Sequence, residues 1–231
     1  VCSSDLRIIS KTKPALVGRK IVVSAGGTRE AIDPVRFIGN HSSGRQGLAI
    51  AFEALRAGAE VTVVAGATDP FNLPGATIIH VESAREMQAE LDKQFLECDA
   101  LVMAAAVADF RIAEQSMEKI KKENLTELSL VRNDDIVATL ARQKKSEQII
   151  VAFAAETSSN LLELAEEKLK TKGADFIYVN DVSDGAIFGD ENTTGHLLGM
   201  DIAPRHFSDV SKYEVARNII EAISARWGRN G

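Results

Sequence analysis

Cysteine, histidine and proline are scarce in this 231-residue chain, which holds two, four and five of them, and no apolar run reaches membrane-spanning length. Each scarcity removes a class of function. Cys2 and Cys98 have no metal-type spacing, and Cys98 lies beside an apolar strand as a reduced, buried thiol would. His41, His80, His196 and His206 are scattered, so neither a metal cluster nor a Ser-His-Asp triad can be argued from spacing. An excess of positive charge is also missing. A net charge of −6 argues against general affinity for nucleic acid or acidic membranes, and any anionic ligand must meet a local basic patch. No succession at the start reads as a signal peptide, which makes the cytoplasm the expected location. The chain opens on Val1, and residues 1–17 show no clear periodicity, reading as a linker or a cloning remnant that leaves room for a domain upstream. Residues 18–228 are then expected to form a single domain.

What is present is alternation. Lys20 to Ser24, Val61 to Ala65, Thr77 to Val81, Ala100 to Val107, Ile149 to Ala155 and Phe176 to Val179 read as strands, several apolar throughout as buried parallel strands are. Between them, helical spacing runs through Leu48, Ala51, Phe52 and Leu55 to Gly58, and through Met87, Leu91 and Phe95 after a Ser83/Glu86 capping box. Further helices follow Asn133 to Asp135, span Leu161 to Lys172, and start at Ser211 with Glu214. The expected fold is α/β: a doubly wound, mostly parallel, Rossmann-like sheet with helices on both faces. The stretch from Asp181 to Phe207, rich in Gly, Asp, Asn and Thr, is expected to be partly mobile.

Chemistry concentrates in Ser24 to Gly47, SAGGTREAIDPVRFIGNHSSGRQG, where glycines end a strand and a helix opens. Glycine lets backbone approach an anion, and the unpaired N–H groups of a helix start point at it with a favourable dipole. Gly39 and Gly44 have P-loop spacing, but Arg45 and Gln46 replace the Lys and Ser/Thr that would complete it, so an ordinary P-loop NTPase is not expected. Asn40, Ser42 and Ser43 could still cradle phosphate; a plain glycine-rich turn would look the same. A noncatalytic NAD(P)-binding sensor is the rival reading. It lacks the G-x-G-x-x-G pattern and an acidic residue closing the second strand, where Ala65 and Gly66 stand. Asp109 lies just beyond the Ala100 to Val107 strand, where a carboxylate could meet a ligand, backbone N–H groups or magnesium, or simply cap a turn. Arg111 to Lys122 holds four basic and two acidic residues, enough to receive a triphosphate or merely to form a charged loop. Lys168 and Lys172 share a helix face, where an anion between them would relieve their repulsion; from spacing alone a merely charged surface helix is the better reading.

The Ser24 to Gly47 segment, MAAAVADF (Met103 to Phe110), KIKK (Lys119 to Lys122), RNDDIV (Arg132 to Val137), VAFAAET (Val151 to Thr157) and VND (Val179 to Asp181) together resemble phosphopantothenoylcysteine synthetase of the CTP-dependent bacterial type. Six motifs in order, over most of Lys20 to Asp181, are far more specific than any one. The resemblance implies ligation of 4′-phosphopantothenate to cysteine through an acyl-cytidylate, with CTP as substrate, Mg2+ as its counter-ion and no flavin in this domain. It implies a homodimer with a shared site, often fused behind a flavin-dependent decarboxylase. By the same resemblance Asn40 and Lys119 are catalytic, Asn40 bonding the acyl group and Lys119 the phosphate. Ser42, Gly44, Gly47, Met103, Ala104, Ala105, Asp109, Asp134, Asp135, Ile136, Val137, Phe153, Lys168, Lys172 and, more weakly, Asn180 would surround the nucleotide. Ala105, Ala106 and Asp109 would bind phosphopantothenate, and Arg36 would reach its phosphate from the neighbouring subunit. Ala31, Arg45 and Ile112 depart from the family's usual residues without touching a proposed contact.

Overall fold

The computed structural model describes residues 14–157, 160–183 and 190–229. In chain order the elements are β1 (Lys20–Ala25), β2 (Arg29–Ala31), β3 (Phe37–Gly39), α1 (Arg45–Arg56), β4 (Glu60–Ala65), β5 (Ala76–His80), α2 (Ala84–Phe95), β6 (Ala100–Met103), β7 (Phe110–Ile112), β8 (Leu130–Arg132), α3 (Ile136–Ala141), β9 (Ile149–Glu156), α4 (Leu161–Lys172), β10 (Phe176–Asp181), β11 (Asn192–Gly199), β12 (Ile202–Ser211) and α5 (Lys212–Arg229).

Eight strands make the main sheet in the order β12-β11-β10-β9-β6-β1-β4-β5. From β10 to β5 every pairing is parallel, and β11 and β12 add an antiparallel edge. The sheet is therefore mostly parallel and Rossmann-like, as its alternating pattern predicts. Chain order reverses between β1 and β6, and a crevice opens beyond the carboxyl ends of such a pair.

Period-two alternation sorts β1 between two cores. Ile21, Val23 and Ala25 pack with α1 and α5, while Val22 joins Met87, Leu91, Leu140 and Leu169 of α2, α3 and α4 on the other face. Helices thus cover both faces, and burial of these side chains at about 25 cal/mol per Å2 of apolar surface is the main stabilising term. Leu16 is fully buried in the α1/α5 core, and its N–H donates to Ala57 O at 2.8 Å, so the folded body takes in Leu16. Residues 1–13 of the expected linker, with Cys2, lie outside the described residues. Cys98 is buried, its thiol pushed up to about 12 by desolvation and by the charge of Asp99, and so stays protonated.

One expectation needs correction. The strand expected over Ala100 to Val107 ends at Met103, because the next residues leave the sheet and are held across the β1 loop. Ala105 N–H donates to Ser24 Oγ (3.1 Å), Ala106 N–H to Gly26 O (2.8 Å) and Ala108 N–H to Thr28 Oγ1 (2.9 Å). The stretch from Asp181 to Phe207 contains β11 and the first part of β12, apart from residues 184–189, which lie outside the described residues. The small hairpins β2–β3 and β7–β8 were not anticipated; each is only three residues a strand, too short for periodicity to register.

Candidate active site

A cleft of about 900 Å3 lies above the carboxyl ends of β1, β6, β9 and β10. One wall is the segment from Gly39 to Gly47, which leads from β3 into α1. Gly44 sits at the N-cap with φ of 76°, a left-handed conformation that favours glycine, and a Cβ there would press on Thr68. No side chain caps α1 and its first turn holds no acid. Ser42 Oγ accepts only the Gly44 N–H, at 3.3 Å. The start of α1 thus lines the cleft with no capping side chain at Gly44, an arrangement of the kind that binds phosphate. Gly47 permits this placement, since a Cβ would meet Ala25 Cβ at 2.8 Å and Ser24 O at 2.9 Å.

Asn40 closes the β2–β3 hairpin and donates from Nδ2 to Val107 O at 3.1 Å, tying the hairpin to the β6 loop. Asn40 itself lines the cleft. Across from it run Met103 to Asp109, and Asp109 is exposed at the rim. Asp134 to Val137 form the next wall, where Asp135 caps α3 by accepting from Ala138 N–H at 3.0 Å. Phe153, its ring tilted at 47° to that of Tyr178 with centroids 5.4 Å apart, offers a half-buried ring to the cleft. Asn180, at the end of β10, accepts from Thr193 Oγ1 at 2.9 Å.

Lys168 and Lys172 line the same cleft, but neither waits unpaired for an anion. Lys168 bonds Glu156, and Lys172 Nζ lies 2.7 Å from Asp135 Oδ2. Burial pushes the Asp135 carboxyl up, yet the Lys172 ammonium and the N–H groups of Ala138 and Val137 outweigh it and hold the group below its ordinary value. The repulsion expected between the two lysines is thus already relieved by carboxylates.

Asn40, Ser42, Gly44, Gly47, Met103, Ala104, Ala105, Ala106, Asp109, Asp134, Asp135, Ile136, Val137, Phe153, Lys168, Lys172 and Asn180 all line one cleft. Arg36 and Lys119 do not. Arg36 is engaged by Asp33 and by Ile120 O, and Lys119 is exposed on the loop between β7 and β8. Lys212 lines the cleft although nothing in its local sequence marks it. It opens α5 at 8% exposure, and burial lowers its ammonium below the usual lysine value. Only the packing of α5 on α1 brings it there. Among the described residues no cluster of three or more His, Cys, Asp or Glu could hold a metal ion by itself.

With this geometry in view, comparison with known proteins is decisive. The family model described as "DNA/pantothenate metabolism flavoprotein C-terminal domain" matches residues 16–226. The chain belongs to this family. A relative from Mycobacterium bovis, "Coenzyme A biosynthesis bifunctional protein CoaBC", is 44% identical over 219 residues, covering 90% of this chain and 52% of that protein. The chain thus spans about half the length of the curated relatives it matches. A crystal structure of the C-terminal domain of a protein of that name superposes with a TM-score of 0.80 at 35% identity, covering 94% of this chain and 99% of the other. The Cab2 mutant H337A complex with phosphopantothenate-cysteine shares the fold, with a TM-score of 0.74 at 15% identity over 92% of this chain and 88% of that one.

Proposed function

We propose that this chain ligates 4′-phosphopantothenate to L-cysteine at the expense of CTP, in the synthesis of coenzyme A. The observation that carries the reading is one cleft in which the uncapped start of α1 faces the exposed carboxylate of Asp109 and the aromatic face of Phe153. The names of its relatives supply the pathway, and the resemblance of the KIKK and RNDDIV segments supplies the nucleotide.

A carboxylate is a poor acyl donor because oxide is a poor leaving group. Its oxygen attacks the α-phosphorus of CTP, the bond to pyrophosphate breaks, and an acyl-cytidylate results. The cysteine amine then attacks the acyl carbon, CMP departs with the bonding electrons, and the amine proton passes to solvent. The protein needs to position the reactants and meet the developing charge. The α1 amides with Ser42, Gly44 and Gly47 would hold the triphosphate, and the Asn40 carboxamide would bond the acyl group. Phe153 would stack beside the base, with Lys168 and Lys172 near the ribose. Lys119 would stabilise charge at the α-phosphorus once its loop, moving together with the hairpin it is bonded to, closes over the cleft. Magnesium, supplied with the triphosphate, would neutralise it and assist departure of pyrophosphate. It takes most of its ligands from phosphate and water with one or two carboxylates, which Asp109 and Asp134 at the rim can provide.

A homodimer is part of this reading, and exposed apolar residues of the two hairpins support it. Val35 and Phe37 of one hairpin and Phe110 and Leu130, which share a face of the other, are exposed beside the cleft, apolar surface that suits a second copy of the chain. Arg36, in the same hairpin, would then reach the partner's phosphopantothenate. An upstream flavin-dependent decarboxylase and a cytoplasmic setting complete the reading. No helix among the described residues is long and apolar enough to cross a membrane. The deciding experiment supplies 4′-phosphopantothenate and cysteine with each of the four nucleoside triphosphates. CTP should give pyrophosphate, CMP and the amide; no pyrophosphate from any of them rejects the reading.

A further inference from the structure

The strongest unassigned feature outside the cleft is Asp33, in the turn between β2 and β3. Its side chain has no solvent exposure, and the two oxygens have separate tasks. Oδ1 serves the turn, accepting from Val35 N–H at 2.9 Å and Arg36 N–H at 3.0 Å. Oδ2 serves something distant. It accepts from Arg36 Nε at 3.0 Å and Arg36 Nη2, and from the N–H of Ile120 at 3.2 Å, 87 residues along the chain. Arg36 Nη2 also donates to Ile120 O at 2.9 Å. One acid–base pair thus grips both backbone polar groups of Ile120, the residue between Lys119 and Lys121. A further bond, from Ser116 N–H to Ile32 O at 3.0 Å, fastens the same loop to the same hairpin.

A turn of this kind needs only Oδ1, so the burial of Oδ2 against a remote loop calls for another explanation. Asn40 stands at the base of the hairpin, next to Gly39, while Asp33 stands at its tip. A single two-stranded element therefore carries one proposed catalytic group and holds the loop bearing the other. We infer that Asp33 is a positioning residue: through Arg36 and Ile120 it latches the Lys119 loop to the Asn40 hairpin and so sets the place from which Lys119 acts. This deepens the function proposed above and rests on the role given there to Lys119.

Asp33→Asn is the informative variant. The asparagine can keep its Oδ1 bonds to the turn, while its NH2 would oppose the Arg36 and Ile120 donors. Amide hydrogen exchange, followed by mass spectrometry, should show peptides covering 113–122 losing protection while those of β1 and α1 keep theirs. Pyrophosphate release from CTP, 4′-phosphopantothenate and cysteine together should fall in kcat by about ten-fold or more, with KM for CTP within about three-fold, because the reactants bind but the ammonium is misplaced. Ile120→Pro removes the loop's own donor, leaves the hairpin intact, and should reproduce both effects should Asp33→Asn fail to fold. Unchanged exchange over 113–122 in a folded variant overturns the latch. Lost protection with unchanged kcat overturns its positioning role. If wild-type protein releases no pyrophosphate, the proposed function falls and with it the positioning role, while the exchange result still decides whether the latch exists.

Discussion

Lys172 Nζ and Asp135 Oδ2 lie 2.7 Å apart, so the last turn of α4 is bonded to the residue that caps α3. One carboxylate therefore serves a helix start through Oδ1 and a lysine through Oδ2. Asp135→Ala should cost about 1 kcal/mol from the lost cap alone. With side chains 26% and 45% exposed, the ion pair itself should couple by only about 0.5–1 kcal/mol in a double-mutant cycle with Lys172→Met, read by urea unfolding. Lys172→Met should raise KM for CTP by about ten-fold, the loss of one charge-assisted contact. An unchanged KM would remove Lys172 from the nucleotide.

Asn40→Ala separates the two halves of the reaction. The variant should release pyrophosphate in an amount matching the enzyme and then stall, with amide formation slowed by about 10²-fold or more. Quenched-flow separation of cytidylate, CMP and pyrophosphate checks this. Steady turnover to the amide would free Asn40 of its proposed role.

The Asp33 carboxyl is held far below its ordinary value, chiefly by its hydrogen bonds to the Arg36 side chain, which outweigh the cost of burial. For a carboxyl with a lowered folded-state pKa, the stabilisation is in place above the unfolded value of 3.8 and is lost as pH falls through the depressed one. Protection of the 113–122 amides, corrected for intrinsic exchange, should therefore stay constant from pH 8 to pH 5. A decline centred between those values would assign the latch to a different group.

Gly47→Ala tests how closely α1 must approach β1. The added methyl would sit 2.8 Å from Ala25 Cβ and 2.9 Å from Ser24 O, neither of which is the far end of a flexible side chain. Overpacking of this sort costs about 1–3 kcal/mol, measurable as a lower urea midpoint at unchanged m. Affinity for CTP should fall with it, because the helix start that faces the cleft is displaced.

Phe37→Asp or Phe110→Asp places a charge on the apolar hairpin face. Either should turn the proposed dimer into monomer, seen by sedimentation equilibrium, with little change in Tm since both rings are about half exposed. A wild-type monomer at micromolar concentration would reject the dimer outright.

The parallel strands and all five helices were legible because burial on both faces produces apolar runs and one-sided burial produces helical spacing. β11 was hidden by the glycines that let it pack, and β12 by its exposure, since only Phe207 of its ten residues is buried. At Gly195 a Cβ would meet Val179 O at 2.3 Å, and at Gly199 the Phe176 ring at 2.4 Å, so the positions that bind β11 to β10 carry no hydrophobic signal. Most of the candidate site was legible through motif resemblance, since its residues fall at strand ends that the fold gathers into one crevice. Lys212 was not, because α5 meets α1 only in three dimensions. The carboxylate partners of Lys168 and Lys172 escaped for the same reason: Glu156 ends β9 and Asp135 opens α3, and no spacing rule joins either to α4.

The packing of α5 on α1 also orders events during synthesis. Val215, Ile219 and Ile223 share a core with Ala49 and Ile50, so the foundation of the loop that opens α1 is laid by residues translated long after it. Until they leave the ribosome, the first βα unit has one flank bare, and the loop has no rigid base. A nascent chain halted before α5 should be blind to nucleotide, acquiring its grip on the ligand only once the closing helix docks.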